Sequence, residues 1–506
     1  MRSVSFCKSF IIFATAVIVL CSVSTCIADL EKDRPNIVII YADDMGYGDL
    51  NVENKKSKIP TPNLDKLSQE GMRFADAHSS SGICTPSRYS LLTGRHHWRK
   101  FHGIVGPFGG SVFDKERLTL PEMLQKEGYT TACIGKWHLG MGWDAIKKPG
   151  AKLKSVPDTD PNLKRILKAY GPEDFDWSKP IPDGPTAHGF DYYFGDGTIN
   201  FPPYCLIEND RVIETPTVMF KVKKFPPEGR AESRPGPAVP DYDQQALLPK
   251  LTEKAVEWIG KQKGTGRPFF LYFALNAPHA PIFPADEFRG KSKAGPYGDF
   301  VAQVDWTTGR VLEALKKNGF AKNTVVVFTS DNGPEVYMKA RREKYDHCSA
   351  GEFRGMKRDI LEGGHHVPFL VYWPGVTRPK TVSNALIGQV DLMATFADYL
   401  GYKLPKGQAE DSFSMLPVLE GKTDHLRDTL VHNTYEKAYA VRQGDWVYLS
   451  DLDCRGRSGQ AGLFNLKDDI GQQKNLIEKY PEKVEAMKRL LKKIRESGYD
   501  RSREPK

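Results

Sequence analysis

The chain has 506 residues, of which 40% are apolar and 27% are charged, and its formal net charge is +9. This composition is typical of a soluble globular protein with one large and one smaller domain, or with two medium domains, and we find no low-complexity tract or internal repeat. The positive charge favours anionic partners, but the sequence contains no recognisable nucleic-acid-binding module, so we expect no nucleic-acid partner.

The N-terminus has the pattern of a secretory signal peptide over residues 1–28. Arg2 and Lys8 precede an apolar run over residues 10–23, and small residues lead to Ala28. The run is short for a membrane span, which needs about 20 residues, and no later segment is apolar enough to cross a bilayer. We therefore expect a secreted or periplasmic protein with no stable membrane span. A lipid anchor on Cys26 is the less favoured alternative, because the preceding residues form a poor lipobox. Loss of Arg2 and Lys8 lowers the net charge from +9 to +7.

Short apolar, β-branched runs alternate with amphipathic segments, which predicts an α/β fold with a largely parallel sheet. Four runs end directly before polar or ionisable residues: residues 36–42 before Asp43 and Asp44, 130–135 before Lys136 and His138, 269–275 before His279, and 324–330 before Asp331 and Asn332. One such residue is usually a loop residue or a helix cap. Because the carboxyl ends of parallel strands lie along one edge of a sheet, we expect all four groups to converge on one site.

The remaining segments predict the other elements. Amphipathic periodicity predicts helices over residues 61–70, 120–126, 248–261, 300–316 and 481–496. Residues 142–189 and 209–240 are rich in Pro, Gly, Lys and Asp, which predicts long loops over the edge where the polar residues converge. Runs at residues 439–442 and 446–449 predict a small antiparallel sheet. We expect a catalytic domain over residues 34–400 and a C-terminal subdomain over residues 425–500.

The polar residues after two of the strands indicate a metal site. Asp43, Asp44 and Asp331 offer three carboxylates, and Asn332 offers an amide oxygen. Such oxygen donors suit calcium or magnesium better than zinc, which prefers His and Cys. Packing so many carboxylates together without a cation would raise their pKa values and destabilise the fold.

The segment Cys84-Thr85-Pro86-Ser87-Arg88 points to the reactive residue. Pro86 can lie in the first turn of a helix, which places Cys84 at a helix N-terminus, where anions bind readily. From the residues alone, Cys84 is either a nucleophilic thiolate activated by Arg88 and the helix end, or a buried inert cysteine.

This segment matches the Cys-x-Pro-x-Arg signature of the formylglycine-dependent (type I) sulfatases, and the match continues through residues 91–95. Further segments of that family follow in the family's order, at residues 35–38, 43–44, 61–65, 135–140, 277–279, 330–333, 354–357 and 463–466. From about residue 34 to about residue 480, the chain therefore resembles this arylsulfatase-like family of the alkaline phosphatase superfamily.

The resemblance implies an alkaline-phosphatase-like α/β sandwich, with a large, mostly parallel central sheet and a smaller C-terminal antiparallel sheet plus helix. It also implies that a formylglycine-generating maturation enzyme oxidises Cys84 to formylglycine. One calcium ion would be bound by Asp43, Asp44, Asp331, Asn332 and the modified residue 84.

The resemblance further implies hydrolysis of a sulfate ester to inorganic sulfate and an alcohol, with the formylglycine hydrate as nucleophile. Arg88 and Lys136 would steady the formylglycine and the sulfate charge. His138 would assist the release of sulfate, and His279 and Lys357 would contact the sulfate and the leaving oxygen, with either one protonating the alcohol.

Two departures from the family pattern are visible. Family members often carry arginine where this chain has His366, which puts the support of the neighbouring strand in doubt. A polar residue that the family places between the segments at residues 135–140 and 277–279 has no clear counterpart here, with Thr198 and Asn200 as weak candidates. Four further histidines lie in no motif and receive no role: His78, His102, His188 and His432.

The sequence does not determine which cysteines, if any, form disulfides. Three of the eight lie in the predicted signal peptide, and the resemblance implies that Cys84 is modified. The four that remain could form two disulfides in an oxidising compartment, but their wide spacing does not fix a pairing. They are Cys133, Cys205, Cys348 and Cys454.

Export, the basic mature chain and the long loops indicate a sulfated carbohydrate substrate, of polysaccharide or glycosaminoglycan type. His96, His97, Trp98 and Arg99 follow the Cys84 helix and are candidates for a sugar subsite, with a packing role as the alternative. Two other functions stay open. A phosphatase or phosphodiesterase of the same superfamily would normally have Ser or Thr as nucleophile and more metal ligands, and a non-catalytic protein could bind sulfated glycans.

Overall fold

The computed structural model describes residues 34–222, 224 and 226–499, so the predicted signal peptide lies outside the described residues. Its strands are β1 Asn36–Ala42, β2 Met72–Phe74, β3 Ala77–His78, β4 Thr130–Gly135, β5 Lys154–Pro157, β6 Ile166–Ala169, β7 Tyr192–Gly195, β8 Ile207–Glu208, β9 Arg211–Val212, β10 Val218–Met219, β11 Pro237–Ala238, β12 Phe269–Ala274, β13 Thr324–Ser330, β14 Phe369–Tyr372, β15 Thr381–Ser383, β16 Ile387–Gly388, β17 Thr429–Asn433, β18 Tyr439–Gln443, β19 Trp446–Leu449 and β20 Gly462–Asn465.

The α-helices of the described residues are α1 Pro62–Glu70, α2 Cys84–Thr93, α3 Leu120–Lys126, α4 Leu247–Lys261, α5 Gly295–Lys317, α6 Met338–Tyr345, α7 Glu362–His365, α8 Leu392–Leu400, α9 Leu416–Leu419 and α10 Pro481–Ser497. The five predicted helices are all present. The longest, α5, begins five residues earlier than predicted, at Gly295, and Pro296 follows in its first turn. None of the described helices is both long and apolar enough to span a membrane.

A large mixed sheet organises the molecule. Its strand order is β15-β2-β14-β13-β1-β12-β4-β7-β8-β9. The neighbours β13, β1, β12, β4 and β7 run parallel, whereas β14 and β8 run antiparallel to the strands beside them. The four strands predicted to end at functional residues therefore lie side by side at the centre, and their carboxyl ends form one edge.

The sheet has a hydrophobic core on each face. Along β1 the buried side chains alternate between the two cores, with Ile37 and Ile39 in one and Val38 and Ile40 in the other. The first core also contains residues of α2, α3, α8 and α10, and the second contains residues of α1, α4 and α5. A strand that is apolar on both faces is what a parallel sheet covered by helices requires.

The C-terminal part forms a second, antiparallel sheet in the order β17-β18-β19-β20, and α10 packs against β18 and β19. A separate apolar cluster joins this sheet to the preceding chain through Ile360 and Leu361.

One sequence prediction needs correction here. The segments 142–189 and 209–240 are not loops throughout, because β5 pairs with β6 and β10 pairs with β11. Much of these short strands is exposed and therefore lacks the alternation of apolar residues that marks a half-buried strand. The sequence left the disulfides open, and the four cysteines considered for them are free in the structure: Cys133, Cys205, Cys348 and Cys454.

Candidate active site

The carboxyl edge of the four central strands gathers the predicted site residues. The backbone keeps the strand register just past each strand end, because Asp43 N donates to Ala277 O at 3.0 Å and Asp331 N donates to Ala42 O at 3.1 Å. Lys136 N likewise donates to Ala274 O at 2.8 Å. These bonds fix where each side chain leaves the sheet.

Helix α2 begins at Cys84, whose side chain is buried with only 3% of its residue surface exposed. Pro86 lies in the first turn, as the sequence predicts, and all ten residues of the helix are buried. Gly94 ends the helix in the left-handed region at φ 63°, and its N–H donates to Ser90 O. A side chain at position 94 would meet Ala409, so the end of the helix is fixed by close packing.

Each of the three carboxylates forms a close ion pair with a different cationic side chain, and Arg88 Nη2 also lies 3.7 Å from Asp43 Oδ1. Lys136 Nζ is 2.6 Å from Asp43 Oδ2, Arg88 Nη2 is 2.8 Å from Asp331 Oδ2, and Lys357 Nζ is 2.7 Å from Asp44 Oδ2. All six side chains are buried. Buried charges survive only when they are paired, and removal of one partner leaves the other uncompensated. We call this group, together with Cys84, Asn332, His138 and His279, the charge cluster.

The charge cluster has free oxygen atoms that fit a divalent cation. Asp43 Oδ1 and Asn332 Oδ1 are buried and accept no hydrogen bond from the described residues. Asn332 Nδ2 donates to Asp44 Oδ1 at 2.7 Å, which orients the amide and leaves its oxygen available. Burial and the negative charge of Asp43 raise the pKa of Asp331 well above its usual value, although Arg88 contacts it. A bound cation would relieve that excess negative charge.

The two histidines are held in defined tautomers. His138 Nε2 lies 2.9 Å from Val105 O, which can only accept, so Nε2 carries the proton and Nδ1 keeps its lone pair. Burial and the nearby Lys136 lower the pKa of His138 well below its usual value, so the ring is neutral. His279 Nδ1 donates to Ala280 O, which leaves Nε2 facing Asp44 Oδ2 at 3.7 Å. Burial and Lys357 lower the pKa of His279.

Comparison with known sequences identifies the family. A sequence model described as Sulfatase matches residues 35–402. The chain belongs to the sulfatase family. A second model, described as N-sulphoglucosamine sulphohydrolase, C-terminal, matches residues 351–498.

Individual relatives agree with this assignment. An N-acetylgalactosamine-6-O-sulfatase of Bacteroides thetaiotaomicron is 29% identical over 511 residues, with 92% of this chain and 94% of the relative covered. An N-acetylgalactosamine-6-sulfatase of Mus musculus is 33% identical over 398 residues, which cover 76% of this chain but only 66% of that relative. A solved B. thetaiotaomicron sulfatase structure, from work on the metabolism of multiple glycosaminoglycans, matches with a TM-score of 0.78 at 28% identity and covers 92% of this chain and 100% of its own. The family, the fold class and the sulfatase type of enzyme predicted from the sequence are thereby confirmed.

Two acidic residues beside the sulfatase charge cluster escaped the sequence analysis. Asp196 directly follows β7, and neither of its buried carboxylate oxygens accepts a hydrogen bond from another described residue. Burial raises the pKa of Asp196 to about 7. Glu335 lies 3.6 Å from Lys357 and accepts two hydrogen bonds from Arg358. The strand-end rule could have found Asp196, but β7 is only four residues long. Glu335 has no comparable sequence signal.

The four residues considered for a sugar subsite lie away from the charge cluster, at the other end of α2. His96 and His97 are fully buried, and Trp98 is nearly so. Their contacts are with the C-terminal part of the chain: Arg99 Nη2 to Asp411 Oδ1 at 2.7 Å, His96 Nε2 to Tyr499 Oη at 2.9 Å, and His97 Nε2 to Asn433 Oδ1 at 3.2 Å. The Arg99 guanidinium covers the Trp98 ring at 4.5 Å. This arrangement agrees with the packing role that the sequence left open, and we leave these residues out of the proposed substrate site.

His366, which stands where family members often carry arginine, makes supporting contacts of its own. Its ring stacks on Phe353 with centroids 3.9 Å apart, and Nε2 lies 2.9 Å from Ala75 O. Thr198 and Asn200, the candidates for the missing polar residue, are buried, and Thr198 donates to the Asn200 side chain at 3.1 Å.

Proposed function

We propose that this sulfatase hydrolyses sulfate esters on a glycosaminoglycan-type carbohydrate, using a formylglycine made from Cys84 and one calcium ion. The arrangement that carries the proposal is a buried residue at the N-terminus of α2, surrounded by three fixed cations and by oxygen atoms without partners. The names of the relatives support the substrate class, and N-acetylgalactosamine 6-sulfate is the first substrate to test.

The described residues offer a place for both groups. Asp43, Asp44, Asp331 and Asn332 would hold the calcium, which supplies positive charge for the sulfate oxygens. A hydrated formylglycine offers two hydroxyls on one carbon, one to attack sulfur and one whose deprotonation releases sulfate. A serine or an unmodified cysteine has no second hydroxyl.

The cations of the charge cluster neutralise the sulfate group as negative charge develops. Arg88 donates through both Nε and Nη2 to Asp331 Oδ2, at 3.1 and 2.8 Å, so the plane of the guanidinium is fixed before substrate binds. Burial alone would lower the pKa of Lys357, but Asp44 and Glu335 raise it, so this lysine stays charged. Donors that are fixed in advance need no reorganisation in the transition state.

The histidines move the protons. His138 is neutral with a free Nδ1, so it can accept a proton from a hydroxyl of residue 84. His279 turns Nε2 toward the site, and we assign it the protonation of the leaving alcohol oxygen; because the proton of the neutral ring lies on Nδ1, Nε2 must first take up a proton from water. Lys357 then acts through its charge alone, because its raised pKa makes it a poor proton donor.

A cleft beside His138 fits a sugar chain. Phe201 meets the His138 ring edge-on at 5.8 Å and also lines a cavity of about 520 Å³. Aromatic and cationic side chains share this wall: Phe108, Trp143, Lys147, Lys168, Tyr170 and Arg234. Aromatic faces stack on sugar rings, and the cations suit a polyanionic chain.

Two measurements test the proposal. The mass of the tryptic peptide over residues 74–88, from protein purified from its native source, should correspond to the aldehyde or its hydrate. The same protein should release inorganic sulfate from an oligosaccharide that carries N-acetylgalactosamine 6-sulfate, and a Cys84→Ser variant should not. An unmodified thiol at full occupancy would contradict the mechanism and favour a glycan-binding protein. Release of phosphate from p-nitrophenyl phosphate without sulfatase activity would instead favour a phosphatase.

A further inference from the structure

A second polar cluster lies outside the charge cluster and takes no part in the mechanism. It consists of His78, His365 and His432, with Glu362 beside them, and we call it the histidine cluster. One ring nitrogen of each of the three histidines lies within 4.8 Å of those of the other two, and all four side chains are buried. The three histidines come from β3, from the end of α7 and from β17, which are far apart in the sequence.

The outer nitrogen of each ring faces an acceptor. His78 Nε2 lies 2.8 Å from Asp76 Oδ1, His365 Nε2 lies 3.2 Å from Ile360 O, and His432 Nδ1 lies 3.1 Å from Ser79 O. Carbonyl and carboxylate oxygens cannot donate, so the outer nitrogen of each ring carries a proton. In a neutral imidazole the inner nitrogen then holds a lone pair. Metal-bound histidines commonly donate their other N–H to a carboxylate or a backbone carbonyl in this way.

The inner nitrogens of the rings lie close together, and in the neutral rings none of them carries a proton. His78 Nδ1 and His365 Nδ1 are 3.1 Å apart, and His432 Nε2 is buried with no hydrogen-bond partner among the described residues. Facing lone pairs repel each other unless a proton or a cation lies between them.

The spacing and the charge fit a cation. Two ligands of a tetrahedral zinc ion with bonds of about 2.0 Å lie about 3.3 Å apart, close to the 3.1 Å between His78 and His365. Glu362 Oε2 lies 3.9 Å from His78 Nδ1 and 3.3 Å from His366 Nδ1, which places a buried carboxylate beside the inner nitrogens. A cation would compensate this carboxylate.

We propose that the histidine cluster is a second metal site, which binds a divalent ion that prefers nitrogen ligands, such as Zn²⁺, through His78, His365 and His432, with Glu362 as the fourth ligand. The rings of His365 and His432 stack at 3.7 Å with their planes 10° apart, so we expect binding to tilt one of them toward the ion. Asp76 orients His78 from behind and is itself held by Arg442 at 2.6 Å.

The site would join three parts of the chain. His78 directly precedes the residues that lead into Cys84, His365 lies eight residues after Lys357, and His432 belongs to the C-terminal sheet. The ion would therefore fasten the segment before α2 to the C-terminal sheet. It would have a structural role, because the charge cluster supplies a separate oxygen-rich site.

The test uses the full-length protein, stripped of metal with a chelator and kept in excess Ca²⁺ to occupy the oxygen-rich site. Titration with Co²⁺ should show one equivalent per chain with the intense visible absorption of a four-coordinate ion. Zn²⁺ should displace this Co²⁺ and raise the melting temperature. None of these readouts depends on sulfate release, so the result is separate from the test of the proposed function.

Variants locate the ion. His432→Gln should weaken Co²⁺ binding at least about 100-fold, and Asp76→Asn should weaken it about 10–100-fold through loss of the outer hydrogen bond. His102→Gln removes an exposed imidazole that contacts Asn433, the residue after His432, and should leave Co²⁺ binding unchanged. Equal binding and an equal spectrum in His432→Gln would overturn the proposal. If a variant does not fold, the wild-type titration decides. Absence of both the four-coordinate Co²⁺ spectrum and the Zn²⁺-dependent rise in melting temperature would overturn the proposal.

Discussion

The two ends of α2 contain similar kinds of residue in very different surroundings. At the first end, Cys84 and Arg88 lie in the charge cluster, where three buried ion pairs adjoin the strand ends and where Asp43 Oδ1 and Asn332 Oδ1 accept no hydrogen bond from the described residues. Past the other end, Arg99 is paired with Asp411, and His96 contacts Tyr499, two residues beyond the C-terminal helix. Closeness in sequence to a catalytic motif is therefore a poor guide to a role in the site.

The largest effect is expected at the N-terminal end of α2, where Cys84 lies. Cys84→Ala should reduce sulfate release at least about 1,000-fold, because no other side chain can replace the nucleophile. The melting temperature should change little, since a small side chain is replaced by one of similar size. Turnover within tenfold of the wild type would contradict the assignment of residue 84.

The next effect concerns the cations. Lys136→Met should lower kcat by about 100- to 1,000-fold, because a fixed charge that faces the sulfate is removed. It should also destabilise the protein, because Asp43 loses its partner at 2.6 Å. The matched control is Lys147→Met, which removes a partly exposed lysine of the proposed cleft and should affect KM more than kcat. Equal kcat in Lys136→Met and the wild type would remove this lysine from the mechanism.

The other end of α2 should show the opposite pattern. Arg99→Met should lower the free energy of unfolding by about 3 kcal/mol, because it leaves the buried Asp411 without its two hydrogen bonds from Arg99. The kcat of the protein that remains folded should stay within about threefold of the wild type, since no contact to the charge cluster is lost. Thermal melting and activity per folded molecule measure the two effects separately. A selective change in sugar preference would restore the subsite hypothesis.

The smallest effect concerns pH. Asp196 has a folded pKa of about 7, above the ordinary value of 3.8, so the folded state holds its proton more tightly than the unfolded state. The stability of the wild type should therefore fall as pH rises from about 4 to about 7. Between pH 5 and pH 7 the loss is about 2 kcal/mol, and Asp196→Asn should abolish it. Melting temperatures of both proteins across this range provide the measurement, and parallel curves would show that Asp196 does not titrate in this way.

The sequence predicts the core of the fold well, because parallel strands covered on both faces have a strong signal. β1, β4 and β13 have the predicted bounds, and the polar residues that follow them come together in the charge cluster, as the sequence predicts. The short strands were not predicted, because they lack this signal. β5 and β6 lie on the surface, and β7 is too brief to show a period, so Asp196 behind it was missed.

Long-range contacts were beyond prediction. The sequence assigned no role to His78 and His432, which are 354 positions apart in the chain, and neither lies in a motif. Only the pairing of β3 and β17 with their neighbours brings their rings to a centroid distance of 5.1 Å. The same holds for Arg99 and Asp411, whose contact favours a packing role over a sugar subsite.

The burial of α2 has a consequence for the order of events during synthesis. Cys84 is 3% exposed, and the helix that it begins has no exposed residue. A modifying enzyme must reach the thiol, and in the folded chain the thiol is enclosed. If position 84 is modified as proposed, the oxidation must come before this segment folds, so the rate of folding sets a time limit for maturation. A host that folds the chain faster than it modifies it would accumulate stable protein without activity.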